Sequence, residues 1–329
     1  MAESSRWLTV NMHAGAYLGE EKMRNRELLS VSLFLSFFAT TPVLSWTVDS
    51  PGAPVNTEYH EAFSAITKDG LTLFISSDRP GGYGSPESGV FYLAASYDIY
   101  VTHRESLGAP WGPVVNLGPN INTSSSEHSP MLSPDGHYLY LMSTRPGGYG
   151  SEDIYRSYRE DVSDDQGWEV PINLGEGVNG PYVESCPVFY ISDDGSAHLF
   201  YVQVDGPDPA SPDLKVSDFD SETNTFLASK TVEISTPAPD GHLDPWHGLV
   251  WGIGYPGGFG GSDIWQTERV NGEDDLTKSW TIPVNLGPEI NTEYEDTMPS
   301  ATSDGTRLYF MSDRPGGLGG MDIFEAVRD

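Results

Sequence analysis

The sequence predicts an all-β fold, a five-bladed β-propeller of four-stranded antiparallel blades over residues 46–329. Three observations predict it: a composition rich in turn-forming residues, an internal repeat, and two chain ends that complement each other. The 329 residues include 36 Gly and 25 Pro, while only 37% are hydrophobic. Such a composition favours many short strands joined by turns over long helices.

The repeat has a period of about 57 residues and is clearest in three stretches. These begin at Asn56, Asn122 and Asn291, and each runs through Asp-Gly, Arg-Pro-Gly-Gly and Asp-Ile. Two further units have drifted. The unit from Asn179 lacks Arg-Pro-Gly-Gly, and the unit near Asp240 lacks a clear hairpin turn, so its register stays open.

The second unit shows how a repeat maps onto a blade. Alternating residues predict a first strand over Glu127–Leu132, a second over Tyr138–Ser143 and a third over Asp153–Tyr158. The segment WEVPINLG from Trp168 supplies the fourth. A set of tryptophans recurs in these fourth segments, and we expect it to be core: Trp111, Trp168 and Trp280.

The chain ends predict closure of the ring. The last unit stops after its third strand, and the segment from Trp46 reads as the missing fourth. We therefore expect the N-terminal segment to complete the last blade. A closed ring hides its sheet edges, which is compatible with a monomer.

The residues before Trp46 are of a different kind. Residues 23–45 combine a basic start, an apolar run and small residues before Trp46, which predicts a secretory signal peptide. An uncleaved anchor is the alternative. Residues 1–22 read as an upstream segment or artefact. The prediction is a secreted or periplasmic protein with no membrane span after cleavage.

The net charge of −31 restricts the partners. With 17 Lys and Arg, the chain lacks the basic stripe that nucleic acid requires. We expect instead a protein or a glycan at the channel face. Cys186 is the only cysteine, so no disulfide within the chain is expected.

The second unit resembles the WD40-like PD40 repeat in the propeller of TolB-like proteins. The resemblance covers Ser133–Gly136, Tyr138–Ser143, Arg145 and Asp153–Tyr155, and extends more weakly over most of 46–329. It implies an extracytoplasmic propeller. It implies no particular activity, because propellers host hydrolases, lyases and binding modules alike.

A carboxylate lies five residues after the first Asn of each unit. The first strands of a propeller line its channel, so these carboxylates are catalytic candidates: Glu61, Glu127, Glu184 and Asp296, with Asp244 as an uncertain fifth. The alternative is structural, with each carboxylate capping backbone N–H groups at its strand start. The recurring Arg79, Arg145 and Arg314 are expected to brace their loops through charge-assisted bonds.

Residues that break the repeat pattern are candidates for binding at the channel mouth. They are His60, His128, His242, Asp244, Trp246 and His247. The first three histidines are also candidate metal ligands, and the metal would be Ca or a transition metal. Cofactor content is otherwise open.

Three functions remain in competition. The resemblance and the lack of a strong catalytic motif favour an extracytoplasmic binding module that uses its channel mouth and loops. The first alternative is a carbohydrate-active hydrolase or lyase, for which two suitably spaced carboxylates suffice. The second is a metal-dependent enzyme with a His and carboxylate site. Whether the protein is an enzyme is left open.

Overall fold

The computed structural model describes residues 45–84, 96–204, 212–234, 240–253, 255–270 and 274–328. The predicted upstream segment and all of the predicted signal peptide except Ser45 lie outside these residues. The described part of the chain is all-β and forms five small antiparallel sheets. It contains no helix that is long and apolar enough to cross a membrane.

Each sheet is one blade of a five-bladed propeller, as predicted. The chain enters through β1 (Trp46–Asp49). Blade 1 contains β2 (Glu61–Ile66), β3 (Thr72–Ser77), β4 (Asp98–His103) and β5 (Val115–Asn116). Blade 2 contains β6 (Glu127–Leu132), β7 (Tyr138–Ser143), β8 (Asp153–Tyr158) and β9 (Ile172–Asn173). Blade 3 contains β10 (Val183–Ile191), β11 (Ala197–Val204), β12 (Pro212–Asp220), β13 (Thr225–Phe226) and β14 (Lys230–Thr231). Blade 4 contains β15 (Asp240–Asp244), β16 (Leu249–Ile253), β17 (Ser262–Gln266) and β18 (Val284–Asn285). Blade 5 contains β19 (Asp296–Ala301), β20 (Arg307–Ser312) and β21 (Asp322–Arg328), and it is completed by β1.

The predicted closure of the ring is confirmed. Strand β1 pairs antiparallel with β21, from Trp46 opposite Arg328 to Asp49 opposite Glu325. The fourth strand of the last blade therefore comes from the N-terminal segment, so both ends of the propeller lie in one sheet.

The Asp-Gly turns form as their residue types predict. In blade 2, Gly136 has φ of 76°, in the left-handed region that glycine adopts without a steric penalty. The Asp135 carboxylate accepts from the backbone N–H of His137 at 3.2 Å and from the Ser133 hydroxyl at 2.5 Å. These local bonds fix the hairpin between β6 and β7.

The first strand of each blade, called here an inner strand, carries a β-bulge near its start. The register shifts inside β2, β6, β10, β15 and β19. Four bulged residues have positive φ although none is glycine: Phe63, Ser129, Cys186 and Met298. Left-handed backbone at a residue with a Cβ is strained, by about 1–3 kcal/mol each. Because the bulge with positive φ recurs in four blades, it is a regular structural feature of this ring.

Blades 3 and 4 differ from the expected pattern. In blade 3 the outer edge is divided between β13 and β14, which both pair with β12, so this blade has more than four strands. In blade 4 the uncertain register is resolved by pairing. Asp240 lies opposite Gly252, as Glu61 lies opposite Ser77, so Asp240 and not Asp244 occupies the fifth ring position.

The three repeated tryptophans belong to the core, as expected. Trp111, Trp168 and Trp280 are all buried, and two of them are covered by arginines. The Arg104 guanidinium lies 4.5 Å from the Trp111 ring centre, and that of Arg159 lies 4.3 Å from Trp168. The arginines thus extend the apolar packing with a cation–π contact.

Candidate functional site

The ring has two faces that differ in their loops. We call the face where the inner strands begin the start face. The loops between second and third strands lie on it too, because antiparallel pairing places Ser77 beside Glu61. We call the opposite face, which carries the Asp-Gly turns, the turn face.

The predicted ring carboxylates are buried within their own blades. Glu61 accepts from the Thr57 backbone N–H at 2.7 Å, from the Thr57 and Ser77 hydroxyls, and from Arg79 at 3.0 Å. Glu127 and Asp296 repeat the pattern with threonine and arginine partners. The side chains of all three are fully buried. These contacts match the capping alternative, and a catalytic role for these carboxylates stays a prediction.

Each arginine of Arg-Pro-Gly-Gly holds a ring carboxylate. Arg145 lies 3.3 Å from Glu127, donates to the Ile121 carbonyl at 2.7 Å and stacks over Tyr155. The arginine therefore ties the loop before the inner strand to the loop after the second strand. Burial raises the pKa of Glu127, although its bonds to Thr123 and Ser143 and the charge of Arg145 act against the rise.

Blade 3 holds its ring carboxylate differently, because it lacks Arg-Pro-Gly-Gly. Glu184 accepts from the Gln203 side-chain amide at 2.9 Å. Its backbone N–H bonds the carbonyl of Glu152 in blade 2 at 3.0 Å. Glu184 thus lies at the junction of blades 2 and 3.

The structure does not bring the candidate channel-mouth residues together. His60 lies on the start face, with Nδ1 3.2 Å from the Asp78 carboxylate. Asp244, Trp246 and His247 follow or end β15 and therefore lie towards the turn face. There Lys68 covers the Trp246 ring at 4.5 Å.

His247 and Asp244 form a pair on the turn face. The His247 Nδ1 lies 2.9 Å from the Asp244 carboxylate. Burial lowers the pKa of His247, but the hydrogen bond to Asp244, the charge of Asp244 and backbone bonds at Thr302 and Ser303 together outweigh burial and raise the pKa overall. This pair fixes the turn that sequence reasoning could not place.

Two of the candidate metal ligands are buried inside the ring. His128 packs its ring 4.7 Å from that of Phe63, and burial lowers its pKa to about 3. His242 lies in the channel, and burial lowers its pKa to about 4. Within the described residues no three His, Cys, Asp or Glu side chains converge to hold a metal. The set of His60, His128 and His242 is thus not assembled as a triad.

The bulged residues of the inner strands surround a small cavity on the propeller axis. Its volume is about 30 Å³, and its lining includes Phe63, Ser129, Cys186, His242 and Met298. Burial raises the pKa of the Cys186 thiol to about 12. At neutral pH the thiol is therefore protonated and is a poor nucleophile.

Glu152 is an ionisable group that the sequence reasoning missed. It precedes Asp153 at the junction of blades 2 and 3, and its charge acts on the Cys186 thiol. Burial raises its pKa to about 7. Equivalent positions hold Tyr97, Ser262 and Met321. The signal was therefore available, because this position before Asp-Ile varies while its neighbours repeat.

The start face also carries a row of exposed apolar side chains. Each occupies the place after Pro-Gly-Gly in its loop, and each is 46–55% exposed: Tyr83, Tyr149, Phe259 and Leu318. Their backbone N–H groups are held by the carboxylates of Asp98, Asp153, Asp263 and Asp322. We call this set, which consists of three aromatic residues and Leu318, the aromatic row. The loops are fixed by hydrogen bonds to their backbone N–H groups, and the side chains of the row are exposed to solvent.

Several solved structures with a similar fold are carbohydrate enzymes. A thermostable family-43 glycoside hydrolase is 11% identical with a TM-score of 0.53, covering 84% of this chain and 92% of its own. An α-L-arabinofuranosidase from Lactobacillus brevis is 13% identical with a TM-score of 0.53 and the same coverage. A family-43 protein from Bacillus licheniformis is 14% identical with a TM-score of 0.51, covering 86% of this chain and 57% of its own. At these identities the likeness shows the fold.

No family model matches the chain. No curated protein matches it either. The resemblance to the PD40 repeat of TolB-like proteins is therefore wrong as a family assignment, because the similar structures are glycoside hydrolases. The expectation of a binding module, which depended on that resemblance, is corrected with it. The physical reason is that Asp-Gly, Arg-Pro-Gly-Gly and Asp-Ile serve the loops and turns of a blade. Such motifs report blade geometry and carry no information about activity.

Proposed function

We propose that this protein is a carbohydrate-active enzyme, a glycoside hydrolase or lyase, that takes its glycan on the start face. The observation that carries the proposal is the aromatic row. Large apolar side chains at one loop position in four blades are not required by the loop, which is held by glycines and an aspartate. Exposed aromatic rings are flat apolar surfaces that suit the C–H faces of sugar rings.

The row continues across a blade junction. Tyr182, 44% exposed, belongs to the loop before β10, and Ser151 donates its backbone N–H to the Tyr182 carbonyl at 2.8 Å. Tyr149 lies two residues before that contact. A chain of sugar units has repeated faces, so several aromatic platforms on neighbouring blades suit a glycan better than a small single ligand.

Glu152 gives the proposed site its acid. A carboxyl group with a pKa of about 7 is protonated in about half of the molecules at neutral pH, and that form can donate its proton to a leaving-group oxygen. A second carboxylate is needed as base or nucleophile. For that role the predicted candidates Glu61, Glu127, Glu184 and Asp296 are retained, and the backbone contact to Glu152 favours Glu184.

Activity on defined glycans tests the proposal. The names of the similar structures suggest a panel of arabinan, arabinoxylan and xylo-oligosaccharides, with polygalacturonate for a lyase. The measurements are release of reducing ends and ultraviolet absorbance of unsaturated product. Glu152→Gln is expected to lower the rate by about 10²–10⁴. The matched control is Glu160→Gln, an exposed residue beyond the end of β8 on the turn side. Equal activity of the two variants, or inactivity of the wild type on the whole panel, would contradict the proposal.

Binding tests the aromatic row separately. Tyr149→Ala with Phe259→Ala is expected to weaken glycan binding about tenfold while the melting temperature stays constant. The control is Ile282→Ala, which removes a 70% exposed apolar side chain from the outer edge of blade 4. Isothermal titration with the best glycan of the panel measures the difference. If the control weakens binding as much as the double variant, the row is not the glycan platform.

We also propose that the protein acts outside the cytoplasm. The signal-like residues 23–45 support this placement, as does an all-β domain with a single buried cysteine. N-terminal sequencing of the protein recovered from a periplasmic or culture fraction tests it. A mature N-terminus at Trp46 is expected, and full-length protein confined to the cytoplasm would overturn it.

A further inference from the structure

Two sulfur atoms meet on the propeller axis. The thiol of Cys186 in blade 3 lies 3.7 Å from the thioether of Met298 in blade 5. Both residues are the bulged residues of their inner strands, with φ of 52° each, and both are buried. The strained backbone turns these two side chains to the same point on the axis.

The sulfur separation matches two ligands of one metal ion. With metal–sulfur bonds of about 2.3 Å and a tetrahedral angle, two sulfur ligands lie about 3.8 Å apart. A van der Waals contact between two sulfurs has a similar length, so the distance by itself decides nothing.

The imidazole of His242 lies at the same cavity. His242 directly follows the bulge of the inner strand in blade 4, between the blades that supply the two sulfurs. His242 is 92% buried and lines the same cavity as Cys186 and Met298. Neither of its ring nitrogens has a hydrogen-bond partner among the described residues. A buried imidazole without a partner costs free energy, and a ligand in the cavity would remove that cost.

We propose that Cys186, His242 and Met298 bind one soft monovalent metal ion, Cu(I), in the axial cavity. Thiolate and thioether ligands favour Cu(I) over harder ions, and imidazole is compatible with it. Ca²⁺ prefers oxygen ligands. The cavity of about 30 Å³ is large enough for an ion and too small for an organic cofactor.

Charge balance favours a monovalent ion. Binding replaces the thiol proton: the S–H bond breaks, the S–Cu bond forms, and one proton is released to solvent, with no change in oxidation state. A thiolate with Cu(I) is neutral overall. A divalent ion in the same three ligands would leave one uncompensated positive charge in a buried site, which is costly.

Competition for Cu(I) tests the proposal on the full chain. Under anaerobic conditions the protein is titrated against a coloured Cu(I) chelator, and Ag(I) serves as a redox-inert probe in a parallel titration. One equivalent of metal is expected to leave the chelator and to raise the melting temperature. Zn²⁺ is titrated in the same way and is expected to bind at least 100-fold more weakly than Cu(I).

Three variants identify the ligands. Cys186→Ser is expected to lower Cu(I) affinity at least 100-fold, and His242→Gln and Met298→Leu about tenfold each. Met298→Leu conserves side-chain volume, so it keeps the test valid if the other variants do not fold. Its matched control is Met311→Leu, a buried methionine in β20, which is expected to bind as the wild type does. The proposal is overturned if Cu(I) stays on the chelator, if Zn²⁺ binds as tightly, or if Met298→Leu and Met311→Leu bind equally well.

This inference does not depend on the proposed function. Glycan binding is measured at the aromatic row and metal binding at the axis, so either result can fail while the other holds.

Discussion

The side chain of Asn56 bonds both backbone groups of Ile323, at the other end of the chain. Its Nδ2 donates to the Ile323 carbonyl at 2.8 Å, and its Oδ1 accepts from the Ile323 N–H at 2.9 Å. Equivalent asparagines make the same pair of hydrogen bonds within blades 1, 2 and 4: Asn122 to Ile99, Asn179 to Ile154 and Asn291 to Ile264. The ring is therefore closed by the same pair of hydrogen bonds that is found within blades 1, 2 and 4.

Asn56→Ala is predicted to open the closing blade. The change leaves the N–H and C=O of Ile323 unpaired in a buried site, at a cost of about 2–4 kcal/mol. Urea unfolding measures the loss. Thr47→Ala, at an exposed position of β1, is the control and is expected to change stability by less than about 0.5 kcal/mol. Equal effects would show that the amide does not fasten the ring.

Arg145→Met is predicted to destabilise blade 2 through its partner. Glu127 would be left as a buried carboxylate without its cation, which costs about 3–5 kcal/mol. The double variant Arg145→Met with Glu127→Gln removes the charge as well and is expected to be more stable than the single variant. Chemical unfolding of the three proteins measures the coupling. If the double variant is the least stable, the pair is held by something other than charge.

Glu152 is predicted to make stability fall as pH rises. Its folded-state pKa is about 7 against an ordinary value of 4.5, so the folded protein keeps a proton that the unfolded chain has lost between these values. The free energy of unfolding then decreases by at most about 1.4 kcal/mol per pH unit over this window. Residual solvent exposure reduces that slope. Glu152→Gln is expected to be more stable than the wild type above pH 7, and closer to it at about pH 4.5. Parallel curves for the two proteins from pH 4 to 8 would exclude the raised pKa.

His128 is predicted to make stability fall as pH falls, which is the opposite of the effect of Glu152. Burial holds its folded-state pKa at about 3, while the unfolded chain binds a proton below its ordinary 6.5. The free energy of unfolding therefore falls as pH falls through this range, by up to about 1.4 kcal/mol per unit. His128→Phe keeps the aromatic contact with Phe63 and is expected to flatten the acid side of the stability curve. An unchanged acid slope in this variant would assign the loss to other groups.

The local elements of the fold were readable from the sequence. The strands Glu127–Leu132, Tyr138–Ser143 and Asp153–Tyr158 have the predicted bounds, because alternation and Asp-Gly turns act over a few residues. The predicted fourth strand is reduced to Ile172–Asn173, since only two residues pair with β8. Blade 4 could not be aligned, because its turn lacks Asp-Gly and depends on the pair of Asp244 and His247.

The sequence by itself determined the five-bladed ring and its closure, because both follow from a repeat and from residue types that govern turns and strands locally. It did not determine where the side chains of the inner strands point. A bulge with positive φ at Cys186 or Met298 does not follow from strand alternation, yet it decides which residues meet on the axis. Only the tertiary structure showed that Glu61, Glu127 and Asp296 are bonded within their own blades. It also showed that Cys186 and His242 line the axial cavity, and that Glu152 lies at the junction of blades 2 and 3. The reason is that these neighbours come from different blades, far apart in the chain, and are brought together only when the ring closes.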